Sequence, residues 1–121
     1  MLTSNTETQV AIAREYAEAL VSVLRRTVAR FATDTGHSMA RPIAQYASIL
    51  AEKLGVGLPS DVDGVDRLAL SEALHALQHL GCYLDRAKHV EVLSPTRHAL
   101  INELHNVTVK EVTLLLRAQP P

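Results

Sequence analysis

Histidine and cysteine, side chains that bind soft divalent metals, are concentrated in residues 73–89 (ALHALQHLGCYLDRAKH), which contain three histidines and the only cysteine of the chain. Steps of four and three residues return to the same side of a helix, and such steps relate His75, His79 and Cys82. Two imidazoles one turn apart and a nearby thiolate form a ligand set that zinc or copper would accept. The stretch therefore contains a candidate metal site on one face of one helix.

The opposite side of the same segment is apolar, which favours a different interpretation. This apolar side is formed by Leu70, Ala73, Leu74, Leu77, Leu80, Leu84 and Ala87. Since that side would face the core, the histidines should face solvent or a partner, together with Arg86 and His89. A cation among the ligands raises the cost of adding a metal ion. We therefore predict that the protein binds no metal and no cofactor. The alternative is a metal-binding bundle in which His75, His79 and Cys82 are the ligands.

Another histidine lies in the segment TGHSMARPIAQYASILAEKLG, residues 35–55. Phe31, His37 and Pro42 follow one another at intervals of six and five residues, and this spacing resembles the phosphoacceptor box of histidine-kinase dimerisation helices. The resemblance implies that His37 accepts phosphate and passes it to an aspartate. Ser38 replaces the acidic residue that normally follows the histidine, and no nucleotide-binding domain follows, so His37 would depend on an outside kinase. A histidine phosphocarrier is the resulting alternative function.

The same segment is also similar to the first helices of HD-type phosphohydrolases of the HD-GYP kind. The similarity rests on residues 35–38 (TGHS), 43–46 (IAQY) and 50–55 (LAEKLG), with His75 and His79 roughly where the His-Asp pair of that family comes. No aspartate follows either histidine, so the resemblance implies a domain that lacks a bridging metal ligand and is inactive. A degenerate HD-type domain is therefore a further alternative.

The spacing of apolar residues predicts that these groups are carried by one all-α domain, residues 1–121, a bundle without a sheet. Four helices are expected at about 6–32, 38–54, 65–90 and 95–118. Pro42 fits best in the first turn of the second helix, and Gly55 is a plausible end for it. Ser94 and Pro95 form a strong start signal for the fourth helix, because the hydroxyl caps a backbone N–H and proline has none to satisfy.

The fourth helix carries two apolar faces roughly 140° apart and is hydrophobic over more than half of its circumference. One face is formed by Leu100, Leu104, Val107, Leu114 and Leu115, and the other by His98, His105, Val109, Val112 and Leu116. A helix of this kind must be covered on two sides. We predict that the face containing His98 and His105 binds a partner.

Composition limits the function that these elements can serve. The net charge is −1, so we expect no basic stripe that would bind nucleic acid. The chain has three tyrosines, one phenylalanine and no tryptophan, so we also expect no set of aromatic side chains on which bases could stack. The polar start MLTSNTETQ and the lack of a long apolar run predict no signal peptide, no membrane span and a cytoplasmic protein. We expect a non-enzymatic regulator that binds another protein, as an adaptor, chaperone or antagonist of a transcription or signalling factor, and that pairs as a homodimer.

Overall fold

The computed structural model describes residues 4–31, 34–57 and 66–118, and the side chains of residues 8–31, 37–55 and 66–118. Within these ranges the chain forms four α-helices and no strand, which confirms the predicted all-α class. The helices are α1 (Ser4–Val28), α2 (Asp34–Gly57), α3 (Arg67–His89) and α4 (Pro95–Ala118).

The four helices form a closed ring in which each packs against two others. Contacts join α1 to α2, α2 to α3, α3 to α4, and α4 back to α1, whereas the described backbones of diagonal helices stay more than 8 Å apart at their Cα atoms. The contacts Lys53–Glu72 and Asp85–His98 each join the last part of one helix to the first part of the next, so α2 and α3, and likewise α3 and α4, run antiparallel. The four helices surround one apolar core.

The core is aliphatic, and it draws on every helix. Its largest fully buried side chains are Leu20, Leu24, Ile43, Leu50, Leu70, Leu77, Leu80, Leu93, Ile101, Val112 and Leu115. Each such side chain stabilises the fold by about 1.5–3 kcal/mol relative to an exposed position. Two buried threonines are compatible with this core because their hydroxyls donate to carbonyls one turn earlier: Thr27 to Val23 at 2.8 Å and Thr108 to Leu104 at 2.7 Å.

Capping fixes the ends of α3 and the start of α4. Asp66 accepts a hydrogen bond from the backbone N–H of Ala69 at 3.0 Å, and the Ser94 hydroxyl accepts one from Arg97 at 3.2 Å. The Ser94-Pro95 start of α4 is thus confirmed. Between these helices, Glu91 has a φ of 63°, a left-handed conformation that glycine usually adopts at a helix end.

The second helix differs from its predicted bounds. It starts at Asp34 and ends at Gly57, so Pro42 lies inside the helix rather than in its first turn, and Gly55 does not end it. Pro42 removes the N–H that would bond the carbonyl of Ser38, but Ser38 is exposed, so water can reach that carbonyl. The break between the two helices comes before Gly36, because α1 ends at Val28. It is followed by two backbone hydrogen bonds between residues three apart, from the N–H of Arg30 to the carbonyl of Thr27 and from the N–H of Phe31 to the carbonyl of Val28.

None of the helices in the described ranges contains an apolar stretch long enough to cross a lipid bilayer.

Candidate interaction surfaces

The outer side of α3 carries the predicted histidine face, and all five of its members are exposed: His75, His79, Cys82, Arg86 and His89. The apolar side of α3 forms the core as expected, so the direction of the histidine face is as predicted. The helical period alone determines this direction, because α3 has one continuous leucine and alanine stripe.

An aromatic stack joins this face to α2. The rings of His79 and Tyr46 are nearly parallel, with centroids 4.9 Å apart, and Tyr46 also stacks on Tyr83 at 5.8 Å. The guanidinium of Arg86 lies 5.9 Å from the centre of the Tyr83 ring. Stacking of this kind stabilises by about 0.5–1.5 kcal/mol beyond the area it buries. His79 therefore has a packing role that its place on the histidine face did not suggest.

The residues described by the structure contain no group of three or more histidine, cysteine, aspartate or glutamate side chains that could hold a metal ion. The proposed ligands His75, His79 and Cys82 follow one another along a convex helix surface. A tight site needs its ligands to converge, usually from more than one element.

The residues of the two family resemblances are widely separated. His37 is exposed near the start of α2, in the same helix as Pro42, whereas His75 lies near the start of α3. Because α2 and α3 are antiparallel, His37 and His75 lie toward opposite ends of the bundle. Together they cannot form one HD-type metal centre, although His37 is open to solvent.

A side-chain ion pair joins α2 to α3 beside the histidine face. Lys53 Nζ lies 2.9 Å from Glu72 Oε2, and the pKa of Lys53 is raised by this hydrogen bond and by the negative charge of Glu72. Both side chains are solvent-accessible, so the pair orients α2 on α3 but stabilises the fold little.

The two histidines assigned to partner binding lie in the seam between α3 and α4. His98 is only 8% exposed, and its Nε2 lies 2.8 Å from Asp85 Oδ1 on α3, close enough to donate a hydrogen bond to the carboxylate. His105 donates from Nε2 to the carbonyl of Leu77 at 2.6 Å. Both imidazoles thus bond to α3 of the same chain.

Gly81 makes room for His105 in this seam. A Cβ at Gly81 would lie 3.3 Å from His105 Cε1 and 3.4 Å from its Nε2, which is tighter than ordinary van der Waals contact. The missing side chain therefore allows the imidazole of α4 to reach the backbone of α3.

The structure does not divide α4 into one buried and one open apolar face, because each predicted face contributes a fully buried residue, Leu115 from one and Val112 from the other. Val112 is fully buried with His98 in the predicted partner face, while Val109 and Leu116 are half-buried against the core. In the face that contains Leu115, by contrast, Leu100 is 63% exposed. The reason is that α3 supplies a carboxylate and a carbonyl for the two histidines, so the polar members of this face are satisfied inside the bundle.

The exposed apolar surface of α4 is a row that we call the outer stripe, formed by Leu100, Leu104, Val107 and Leu114. Leu100 and Leu114 are among the most exposed large hydrophobic residues described, at 63% and 37%, and the other two are half-buried. Leu100, Val107 and Leu114 follow one another at intervals of seven residues, the repeat of helices that pair along their length.

Helix α1 also carries exposed hydrophobic residues. Ile12 and Tyr16 lie on the side of α1 away from α2, as the helical period places them opposite Arg14 and Arg25, which line the α1–α2 groove. The described residues of α1 contact α2 and α4, so this side of α1 faces α4 or solvent.

Comparison with protein-family models, curated proteins and solved structures found no match for this chain. Any functional conclusion therefore rests on the surfaces described above.

Proposed function

We propose that this protein is a non-catalytic helical interaction protein, and that a second copy of the chain covers its outer stripe. The observation that carries the proposal is a row of four aliphatic side chains on α4, of which Leu100 and Leu114 are exposed while Leu104 and Val107 are half-buried. Apolar rows of this kind on a helix commonly mark a surface that another helix covers. From Leu100 to Leu114 the row is about 21 Å long, enough for a paired helix to follow.

The spacing of the outer stripe suits a twofold axis. In an antiparallel pairing centred on Val107, residues equally far before and after the centre meet across the interface. Leu100 lies seven residues before Val107 and Leu114 lies seven after it. Each Leu100 would therefore meet Leu114 of the copy, while the two Val107 side chains meet at the axis. Such a self-complementary contact closes at two subunits.

Charges beside the outer stripe favour the same pairing. Glu103 and Lys110 are both exposed and lie one heptad apart on the flank of α4 that faces away from α1. Glu103 precedes Val107 by four residues and Lys110 follows it by three, so the twofold axis places each glutamate beside the lysine of the copy. Two opposite-charge pairs would then form across the interface.

We further propose that the dimer acts in the cytoplasm as a regulator of another protein, as an adaptor, chaperone or antagonist. The nearly balanced charge supports a protein partner over nucleic acid. Its histidine face remains free of the dimer contact and is available as a second surface.

The dimer is tested by sedimentation equilibrium of the wild type and of Leu100→Glu. We expect twice the chain mass for the wild type at micromolar concentration, and a dissociation constant about a hundredfold higher for the variant, because both copies lose a buried leucine. The matched control is Leu68→Glu, which alters a leucine that is 69% exposed but lies on α3. A wild type that stays monomeric at high micromolar concentration, or equal effects of the two variants, would contradict the proposal.

The orientation of the pair is tested by exchanging charges. Glu103→Lys or Lys110→Glu alone should weaken the dimer about threefold to tenfold, since each puts like charges together twice. The double variant restores opposite charges and should recover most of the loss, with all differences shrinking at high salt. Additive weakening in the double variant would exclude the antiparallel pairing.

A further inference from the structure

A groove of about 430 Å³ lies between α1 and α2, on the side of α1 opposite Ile12 and Tyr16. It is lined by Arg14, Ala17, Glu18, Val21, Ser22, Arg25, Arg26, Ala51, Leu54 and Gly55. Its volume is in the range of small-ligand pockets, about 300–1,000 Å³. The groove combines an apolar floor with a charged rim, and the two parts have different consequences.

Small residues create the space. Ala17 of α1 and Ala51 of α2 both line the groove, and a Cβ at Gly55 would point into open space. Val21 and Leu54 are almost completely buried and supply the floor. The result is an apolar trough that the chain's own described side chains do not fill. Apolar ligands gain free energy from such a surface in proportion to the area they cover.

Three arginines and one glutamate give the rim a net positive charge. Arg25 and Arg26 are exposed, half-exposed Arg14 lies about three turns earlier on α1, and Glu18 lies between them. A guanidinium presents a planar set of donors that matches a carboxylate with two hydrogen bonds. The rim therefore selects an anionic group, and the adjacent floor selects an apolar body.

We propose that this groove binds an alkyl carboxylate of medium chain length, with its tail on Ala17, Val21, Ala51 and Leu54 and its carboxylate at Arg25 and Arg26. An acidic helix of a partner protein carries similar chemistry but fits less well. A helix is about 10 Å wide, so about one turn would already fill the volume. A flexible chain with a single charged end uses both the floor and the rim.

The test is calorimetric titration of the full chain with decanoate below its micelle concentration. We expect one ligand per chain with micromolar affinity, and weaker binding of decanol and of decyltrimethylammonium, which lack the negative charge. Arg25→Gln combined with Arg26→Gln should weaken decanoate binding about tenfold, the usual effect of losing a hydrogen bond to a charged group. Arg97→Gln, at an exposed arginine on α4, is the matched control and should leave the affinity unchanged.

Two further variants are expected to change the affinity for decanoate in opposite directions. Glu18→Gln removes the only negative charge among the described residues that line the groove, so it should tighten decanoate binding. Ala51→Phe fills the trough and should abolish binding, with circular dichroism to confirm that the helices persist. The proposal is overturned if decanol binds as tightly as decanoate, if the arginine and glutamate variants have no effect, or if only acidic peptides bind.

Discussion

The two seams that flank opposite edges of the bundle are built differently, although all four helices have similar lengths and aliphatic stripes. Between α3 and α4, His98 bonds Asp85 and His105 bonds the carbonyl of Leu77, so polar groups of one helix are matched by the other. Between α1 and α2, alanines, a glycine and arginines line a groove of about 430 Å³. Polar matching closes a seam at defined positions, whereas small apolar residues leave volume that another molecule can use.

The largest expected difference between the seams concerns truncation of a core side chain. Leu77→Ala removes a fully buried leucine next to the α3–α4 seam, and we expect a loss of about 2–5 kcal/mol in the free energy of unfolding, because the closed seam cannot collapse around the cavity. Urea denaturation measures it. A loss below about 1 kcal/mol would show that this seam is as loose as the other.

Gly81 and His105 test how tightly the α3–α4 seam is closed. Gly81→Ala should destabilise the native protein by about 1 kcal/mol, since its Cβ displaces the imidazole and weakens the bond to Leu77. In a His105→Ala background the same change should stabilise by up to about 1 kcal/mol, through the better helix propensity of alanine. A double-mutant cycle by thermal unfolding gives both values. The same sign in both backgrounds would contradict the contact.

Substitution of Glu91 tests whether the backbone of the connection between α3 and α4 is strained. Its left-handed backbone lies in the five-residue connection between α3 and α4. Glu91→Gly should stabilise the fold by about 0.5–1 kcal/mol, because glycine adopts this conformation without a steric cost. The gain is a net value, since the greater conformational freedom of glycine in the unfolded chain offsets part of it. Glu91→Ala, which keeps a Cβ, is the control and should have little effect on the midpoint of urea denaturation.

The smallest expected change in stability is at the α1–α2 seam, which contains the groove. Ala51→Leu adds three carbons where the α1–α2 groove has space, so the free energy of unfolding should change by less than about 0.5 kcal/mol. An equivalent enlargement in the closed core, Ala73→Leu, should cost about 1–3 kcal/mol because Ala73 is fully buried. Equal losses at both positions would show that the groove is not available space.

The class of the fold and most of its helices were predictable from the sequence. The leucine and alanine stripe of α3 is continuous, so one helical period set both the buried side and the outward direction of His75, His79 and Cys82. The start of α4 followed from Ser94 and Pro95 alone. The bounds of α2 were less predictable, because Pro42 is compatible with a helix start and with an exposed helix interior.

The orientation of α4 could not be predicted in the same way. Its two faces are similarly hydrophobic, and the histidines made one of them look like an outer surface. Asp85 and the carbonyl of Leu77 reverse that preference, and both lie on another helix. The groove was equally invisible, since Ala17 and Ala51 are 34 positions apart in the sequence and only packing brings them together.

The sequence by itself determined what is local: where helices form, where they are capped, and which side of a helix with one apolar stripe is buried. The tertiary structure alone decided which residues of the two apolar faces of α4 turn inward and where volume remains between helices. The physical reason is that periodicity reports hydrophobicity around one axis, whereas burial of a polar group depends on a hydrogen-bond partner supplied from elsewhere in the fold.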